Sequence, residues 1–181
     1  MRKKICAILL LCVSLLALLS ACGKEKKAGE YQVFYLNADV TRIVPEKIEL
    51  KSSQEDDKIQ ELLKDLKKQP NDTSLRQTIP DKVKVLGVST ATYQITVDFS
   101  KEYYDMSPTE EVLTRAAIVK TLLQIKKYPY VMFTVESKPL VNSSKNAVGS
   151  MSEDSFVENP GEQINSSQKT TLTLYFSNKD G

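Results

Sequence analysis

The alternation of apolar and polar positions divides the chain into several short strands and two helices. Residues 31–36 (YQVFYL) are rich in strand formers and apolar on both faces, which predicts a central strand. Asn37-Ala38-Asp39 reads as a turn. Residues 42–50 hold a second extended segment, which Pro45 assigns to a sheet edge. Ile59, Leu62, Leu63 and Leu66 then fall at i, i+3, i+4 and i+7 among polar residues, the pattern of a one-faced helix. Ser52 and Glu55 make a capping-box pattern at its start, and Pro70 ends it. Residues 71–80 read as a loop. The strand expected over residues 83–89 changes apolar phase at Leu86-Gly87, which suggests a bulge. Tyr93, Ile95, Val97 and Phe99 alternate with polar residues, so a half-buried strand pairs with it as a hairpin. Residues 130–135 form a further strand. A polar, turn-rich stretch, a helical turn near residues 152–157, a linker over 159–170 and a strand-like segment at 171–176 complete the chain.

The second helix, between the hairpin and strand 130–135, has more apolar surface than one contact can cover. Ser107 is its N-cap, Pro108 its first residue, and Glu110 completes a Ser-x-x-Glu box. Glu110 and Glu111 suit the positive end of the helix dipole, and Lys126 and Lys127 the negative end, so the helix is expected over residues 108–127. Val112, Ala116, Val119 and Leu123 form one stripe. Ile118, Leu122 and Ile125 form a second. The second stripe has to meet another element of the chain or a protein partner. It is therefore carried forward as a candidate partner interface. The element order β-(β)-α-β-β-α-β predicts an α+β domain, a mixed β-sheet with two helices packed on one face.

Length and charge narrow the function. The chain of 181 residues is long enough for one domain with extra segments. It carries 25 basic and 23 acidic residues, net +2. Removing Arg2, Lys3 and Lys4 with the first 21 residues leaves 22 against 23, net −1. So balanced a domain gives no electrostatic argument for nucleic acid. With 0 histidines, Ser-His-Asp and Cys-His catalysis and the usual His-containing zinc sites are excluded. Cys6, Cys12 and Cys22 all lie in or just after the apolar N-terminal run. Residues 23–181 therefore have no cysteine for a disulfide or a metal.

That N-terminal run sets the expected compartment. Arg2, Lys3 and Lys4 precede 15 apolar-rich residues, 5–19, short for a membrane span and suited to a signal peptide. Leu19-Ser20-Ala21-Cys22-Gly23 resembles the bacterial lipobox. That resemblance implies a diacylglycerol on the Cys22 thiol and cleavage before Cys22, so residues 1–21 are a lipoprotein signal peptide. Two acyl chains meet the requirement for stable anchoring. Residues 22–30 are then a tether, of which Gly23 to Glu30 spans at most about 28 Å. The domain is expected at the outer face of the cytoplasmic membrane.

Several phrases, in order, are similar to the GerMN domain of sporulation and spore germination. They are VFYLNADVTRIVPEKIEL, IQELLKDLKKQP, LRQTIPDKVKVLGVS, ITVDFSKEY, LTRAAIVKTLLQI and VMFTVESKPL. The GerMN-like domain is taken as residues 31–158. Where the family has a glycine in the hairpin turn, Ser89-Thr90-Ala91-Thr92 has none. The resemblance implies a non-enzymatic extracytoplasmic lipoprotein with no catalytic residues, whose fold is similar to ring-building domains of a channel complex between mother cell and forespore. The expected role is a scaffold or assembly component of an envelope complex, through self-assembly or a protein partner. The alternative is a binding module for peptidoglycan or another wall polymer. Residues 174–181 also align without gaps on residues 33–40, so residues 171–181 are read as the start of a truncated second copy.

Other candidate chemistry is weak. Ser166 and Lys169 make a Ser-x-x-Lys pair in a polar linker, with no helix to fix the lysine. Asp98, Asp105, Glu110 and Glu111 cluster in sequence, but their spacing fits no calcium loop. Three Asn-x-Ser/Thr patterns, at Asn71, Asn142 and Asn165, have no role beside a bacterial lipobox. Tyr103-Tyr104 and Tyr128-Pro129-Tyr130 flank the long helix as contact candidates. Nothing in the pattern calls for a metal or a cofactor.

Overall fold

The computed structural model describes residues 30–142 and 145–156. Strand β1 (Glu30–Asn37) lies in the middle of an antiparallel sheet of order β2-β1-β3, with β2 (Ile43–Glu49) and β3 (Leu75–Arg76) at its sides. Central β1 and edge β2 agree with the sequence reading, whereas β3 forms inside the stretch read as loop. The β1–β2 turn is organised by Asn37. Its Oδ1 accepts from the Thr41 and Arg42 amides at 2.8 and 3.0 Å, and Val40 takes a left-handed φ of 52°. That conformation is costly for a β-branched residue.

The second sheet has the order β4-β5-β6-β7, with β4 (Val85–Ala91), β5 (Gln94–Phe99), β6 (Tyr130–Val135) and β7 (Lys138–Pro139). β4 and β5 are an antiparallel hairpin with the expected bulge, where the register shifts between Val85 and Gly87. The two-residue turn is Thr92-Tyr93, between paired Ala91 and Gln94. It lies further along than expected, and neither residue is left-handed, so no glycine is required. β5 and β6 run parallel, joined by the long helix. The expectation of one mixed sheet is thus corrected to two sheets within an α+β fold.

Helix α1 (Glu55–Leu66) buries Ile59, Leu62, Leu63 and Leu66, as its single stripe requires. Gln54, not Ser52, is its N-cap residue, and no side chain caps it. The Ser52 and Lys51 amides instead donate to the Glu61 carboxylate at 3.1 Å. Helix α2 (Pro108–Leu122) begins as expected, with Ser107 Oγ accepting from the Glu110 amide at 3.3 Å. It stops at Leu122 rather than Lys127, and two tight turns then bring Ile125 and Tyr128 into the core.

Helix α2 touches β1 and β2 of one sheet, β6 of the other, and α1 beside it. A helix with neighbours on several sides needs apolar residues on several sides. That is the physical reason for the two stripes. Ile118, Leu122 and Ile125 are 0, 0 and 4 % exposed and belong to the common core with Val119 and Leu123. The stripe carried forward as a partner interface therefore packs inside the domain. Val112, the first residue of the other stripe, is 45 % exposed.

The open edge of β1 is closed by side chains rather than by a long strand. β3 pairs only with Leu36 and Asn37. Further along, the Gln124 side chain accepts from the Gln32 amide at 2.8 Å and donates to the Gln32 carbonyl at 2.7 Å. Thr121 Oγ1 accepts from the Phe34 amide at 3.1 Å, and Thr78 Oγ1 donates to the Phe34 carbonyl at 2.6 Å. Phe34 therefore turns its main-chain groups away from its β2 partner Pro45, which has no amide to offer. We expect Gln124→Ala to leave both main-chain groups of Gln32 without these partners. A loss of about 2 kcal/mol, read as a fall of several degrees in melting temperature, is the expected outcome. An unchanged melting temperature would mean that water satisfies this edge equally well.

Candidate functional site

Three of the four acids that cluster in sequence hold separate partners through their carboxylates, and at Asp105 only the main chain is engaged. Asp98, on β5, accepts from Thr134 Oγ1 at 2.6 Å, the Ser137 amide at 2.9 Å and Ser137 Oγ at 3.3 Å. Glu110 meets Arg76 at 3.3 Å. Glu111 is held by Arg115, and the Asp105 carbonyl receives Lys82 Nζ at 3.2 Å. No carboxylate group among the described residues converges as a metal site would.

Asp98 has a structural task. Glu136 and Ser137 form the β6–β7 turn with φ of 50° and 62°, both left-handed and neither glycine. Such turns favour Asn-Gly, and other residues carry strain there. The Asp98 carboxylate binds the second turn residue, while the Glu136 amide donates to the Phe99 carbonyl at 2.9 Å. Partial burial pushes the Asp98 carboxyl up, but the hydrogen bonds from Thr134 and Ser137 outweigh it and hold the group below its usual range.

Clefts flank both helices. A polar, open one of about 740 Å³ lies between β2 and α1, lined by Lys47, Lys51, Lys64 and Lys68 with Glu46 and Glu61 among others. A smaller one, about 350 Å³, lies at the start of α2, where Tyr104 and Val112 are exposed and Tyr103, Glu111 and Arg115 are close by. There Arg115 grips Glu111 in a two-point ion pair, at 2.5 and 2.9 Å, and Tyr103 donates to Glu111 at 3.1 Å. Arg115 is only 9 % exposed. Burial, then the charge of Glu111, raises the Tyr103 phenol well above its ordinary value. Burial likewise pushes Tyr35 up to about 12, helped by Asp65 and Glu46. Both phenols donate within the domain, Tyr103 to the Glu111 carboxylate and Tyr35 to the Asp65 carbonyl at 3.2 Å.

The Tyr103–Glu111–Arg115 group was not singled out from the sequence, although Glu111 and Arg115 stand at the i, i+4 spacing of a helical ion pair. Of the other flanking tyrosines, Tyr128 is buried and Tyr130 exposed. Cys22, the tether up to residue 29, Ser166, Lys169, the linker and residues 171–181 lie outside the described residues, and Glu30, taken as the tether's last residue, is the first of β1.

The fold is thus an α+β domain whose shifted ionisable groups serve its own hydrogen bonds. The sequence model of the Germane family, described as sporulation and spore germination, matches residues 32–141, more than half of the chain. The chain belongs to this sporulation and germination family. It is similar in fold to the first GerMN domain of the sporulation protein GerM from Bacillus subtilis, with TM-score 0.58 and 15 % identity, over 70 % of this chain and 98 % of that one. Against the tandem GerMN domains of the same protein the values are 0.54 and 23 %, over 76 % of this chain and 50 % of that one. A putative lipoprotein from Clostridium perfringens gives 0.50 and 20 %, over 70 % and 89 %. No curated protein gives a significant match.

The Asp98 carboxyl is lowered in the folded state, so it contributes stability above its unfolded pKa of about 3.9 and loses it as pH falls through the folded value. Asp98→Asn should therefore melt earlier than the parent at pH 6. The gap should narrow as pH falls below about 4. A gap of constant size down to pH 2.5 would show that the carboxylate charge does not stabilise the turn.

Proposed function

We propose that this chain is a non-enzymatic, lipid-anchored extracytoplasmic protein of sporulation or spore germination, acting as a scaffold or assembly component of an envelope complex. The observation that carries the proposal is where the fold begins. β1 starts at Glu30, eight positions after the lipobox-like Cys22, so the family's domain follows the expected anchor after a short tether. The pairing of Tyr103, Glu111 and Arg115 supports a structural rather than a catalytic use of the buried Arg115 guanidinium. The membrane is then reached through the anchor, and the remaining partner is a protein of the envelope or a further copy of the chain.

A second reading, a module for peptidoglycan or another wall polymer, is favoured by the polar cleft between β2 and α1. Binding to purified peptidoglycan that Lys51→Glu with Lys64→Glu abolishes would support it over the scaffold. For the anchor, Cys22→Ala in cells should move the protein out of the processed membrane fraction and lower the yield of heat-resistant or germinating spores. Unchanged anchoring and cleavage would remove the lipid attachment. Lost anchoring with normal spores would remove its role in sporulation.

A further inference from the structure

The two long sheet edges of the described residues are guarded differently. β2 carries Pro45, Glu46, Lys47 and Glu49, the charges and proline that discourage strand addition. β4, with the sequence VLGVSTA, has neither charge nor proline, and only the bulge at its start interrupts it. Ala91 and Gln94 close the hairpin as a hydrogen-bonded pair, so alternation directs the main-chain groups of Val88 and Thr90 outward. Below this edge a cleft of about 410 Å³ separates β4 from α1, lined by Gln60, Leu63, Lys64, Lys67, Leu86 and Val88 among others. Leu86 is 49 % exposed there. An added strand would have its inner face over that cleft.

We infer that the edge of β4 receives residues 171–176 of the same chain. Their sequence, TLTLYF, places Leu172, Leu174 and Phe176 on one face and Thr171, Thr173 and Tyr175 on the other. An added strand on an uncharged edge above a half-apolar cleft needs one apolar face inward and one polar face outward. The path is short enough. The described chain ends at Phe156, packed against the core just after Met151 bridges Val131 on β6. From Met151, on the far side of β6, to a strand beyond β4 is four strand spacings, about 19 Å, and the residues from 157 to 170 can span more than about 40 Å. The other side of β6 is already met by β7 and by Met151. This inference does not depend on the anchor or on the role in sporulation.

Amide exchange followed residue by residue on the full chain in detergent tests it. The Val88 and Thr90 amides should exchange at least about tenfold more slowly in the parent than in Leu172→Asp with Leu174→Asp. Tyr175→Asp, on the outer face, should keep the protection. Equal exchange in the parent and the double variant overturns the inference. Protection that survives the double substitution and grows with protein concentration places a second copy on the edge, and overturns it too. Protection of residues 171–176 with an unprotected β4 places that strand elsewhere, again against the inference.

Discussion

A strand needs partners for the main-chain groups on both of its edges, and in this domain side chains meet that demand along half of β1. Gln124 presents a side-chain amide with the donor and acceptor of a peptide group, and so takes the place of a neighbouring strand at Gln32. The same Nε2 also lies 3.2 and 3.0 Å from the Lys120 and Thr121 carbonyls at the end of α2. One residue thereby satisfies the strand edge and the helix terminus together, which fits the stop of the helix at Leu122. If a strand occupied that edge instead, the two sheets would be free to join. Because α2 occupies it, they remain separate.

The placement of α2 accounts for its composition. A helix on the outside of a sheet keeps a polar face toward water, whereas this one is enclosed by β1, β2, β6 and α1. Thr114, Ala117, Ile118, Thr121 and Leu122 are all buried. Its polar residues are used where main-chain groups need them. Thr114 donates to the Thr78 carbonyl at 3.1 Å, and Thr78 in turn donates to β1. The chain of contacts from α2 through residue 78 to β1 joins three segments far apart in sequence. No apolar pattern announces it.

The legible and the illegible parts of the fold divide on that line. Strands β1, β4, β5 and β6, the bulge, both helices and the start of α2 follow from local periodicity and capping, which neighbouring residues determine. The split into two sheets depends on a side chain meeting a backbone 92 positions away. β3 is only two residues long, too short to leave a period, and exists because Leu36 and Asn37 offer it an edge. The Ser52–Glu55 capping pattern gave way to Glu61, whose carboxylate gathers the Lys51 and Ser52 amides. The two apolar stripes of α2 were visible, and the requirement for two neighbours was sound. That both neighbours belong to this chain could be read only from the packing.

Charge is the level at which the sequence was least specific. Glu110 and Glu111 suit a helix N-terminus, and the dipole alone would account for them with a few tenths of a kcal/mol each. In the folded chain they also reach Arg76 and Arg115, which ties the start of α2 to β3 and seats a buried guanidinium. A buried pair adds little net stability over an apolar packing of the same volume, yet losing one partner costs about 3–5 kcal/mol, because the other is left uncompensated. The Tyr103–Glu111–Arg115 group therefore fixes position more than it adds stability. It holds the turn after β5 against the first turns of α2, so the strand that precedes the helix and the helix that separates the sheets keep one relative placement.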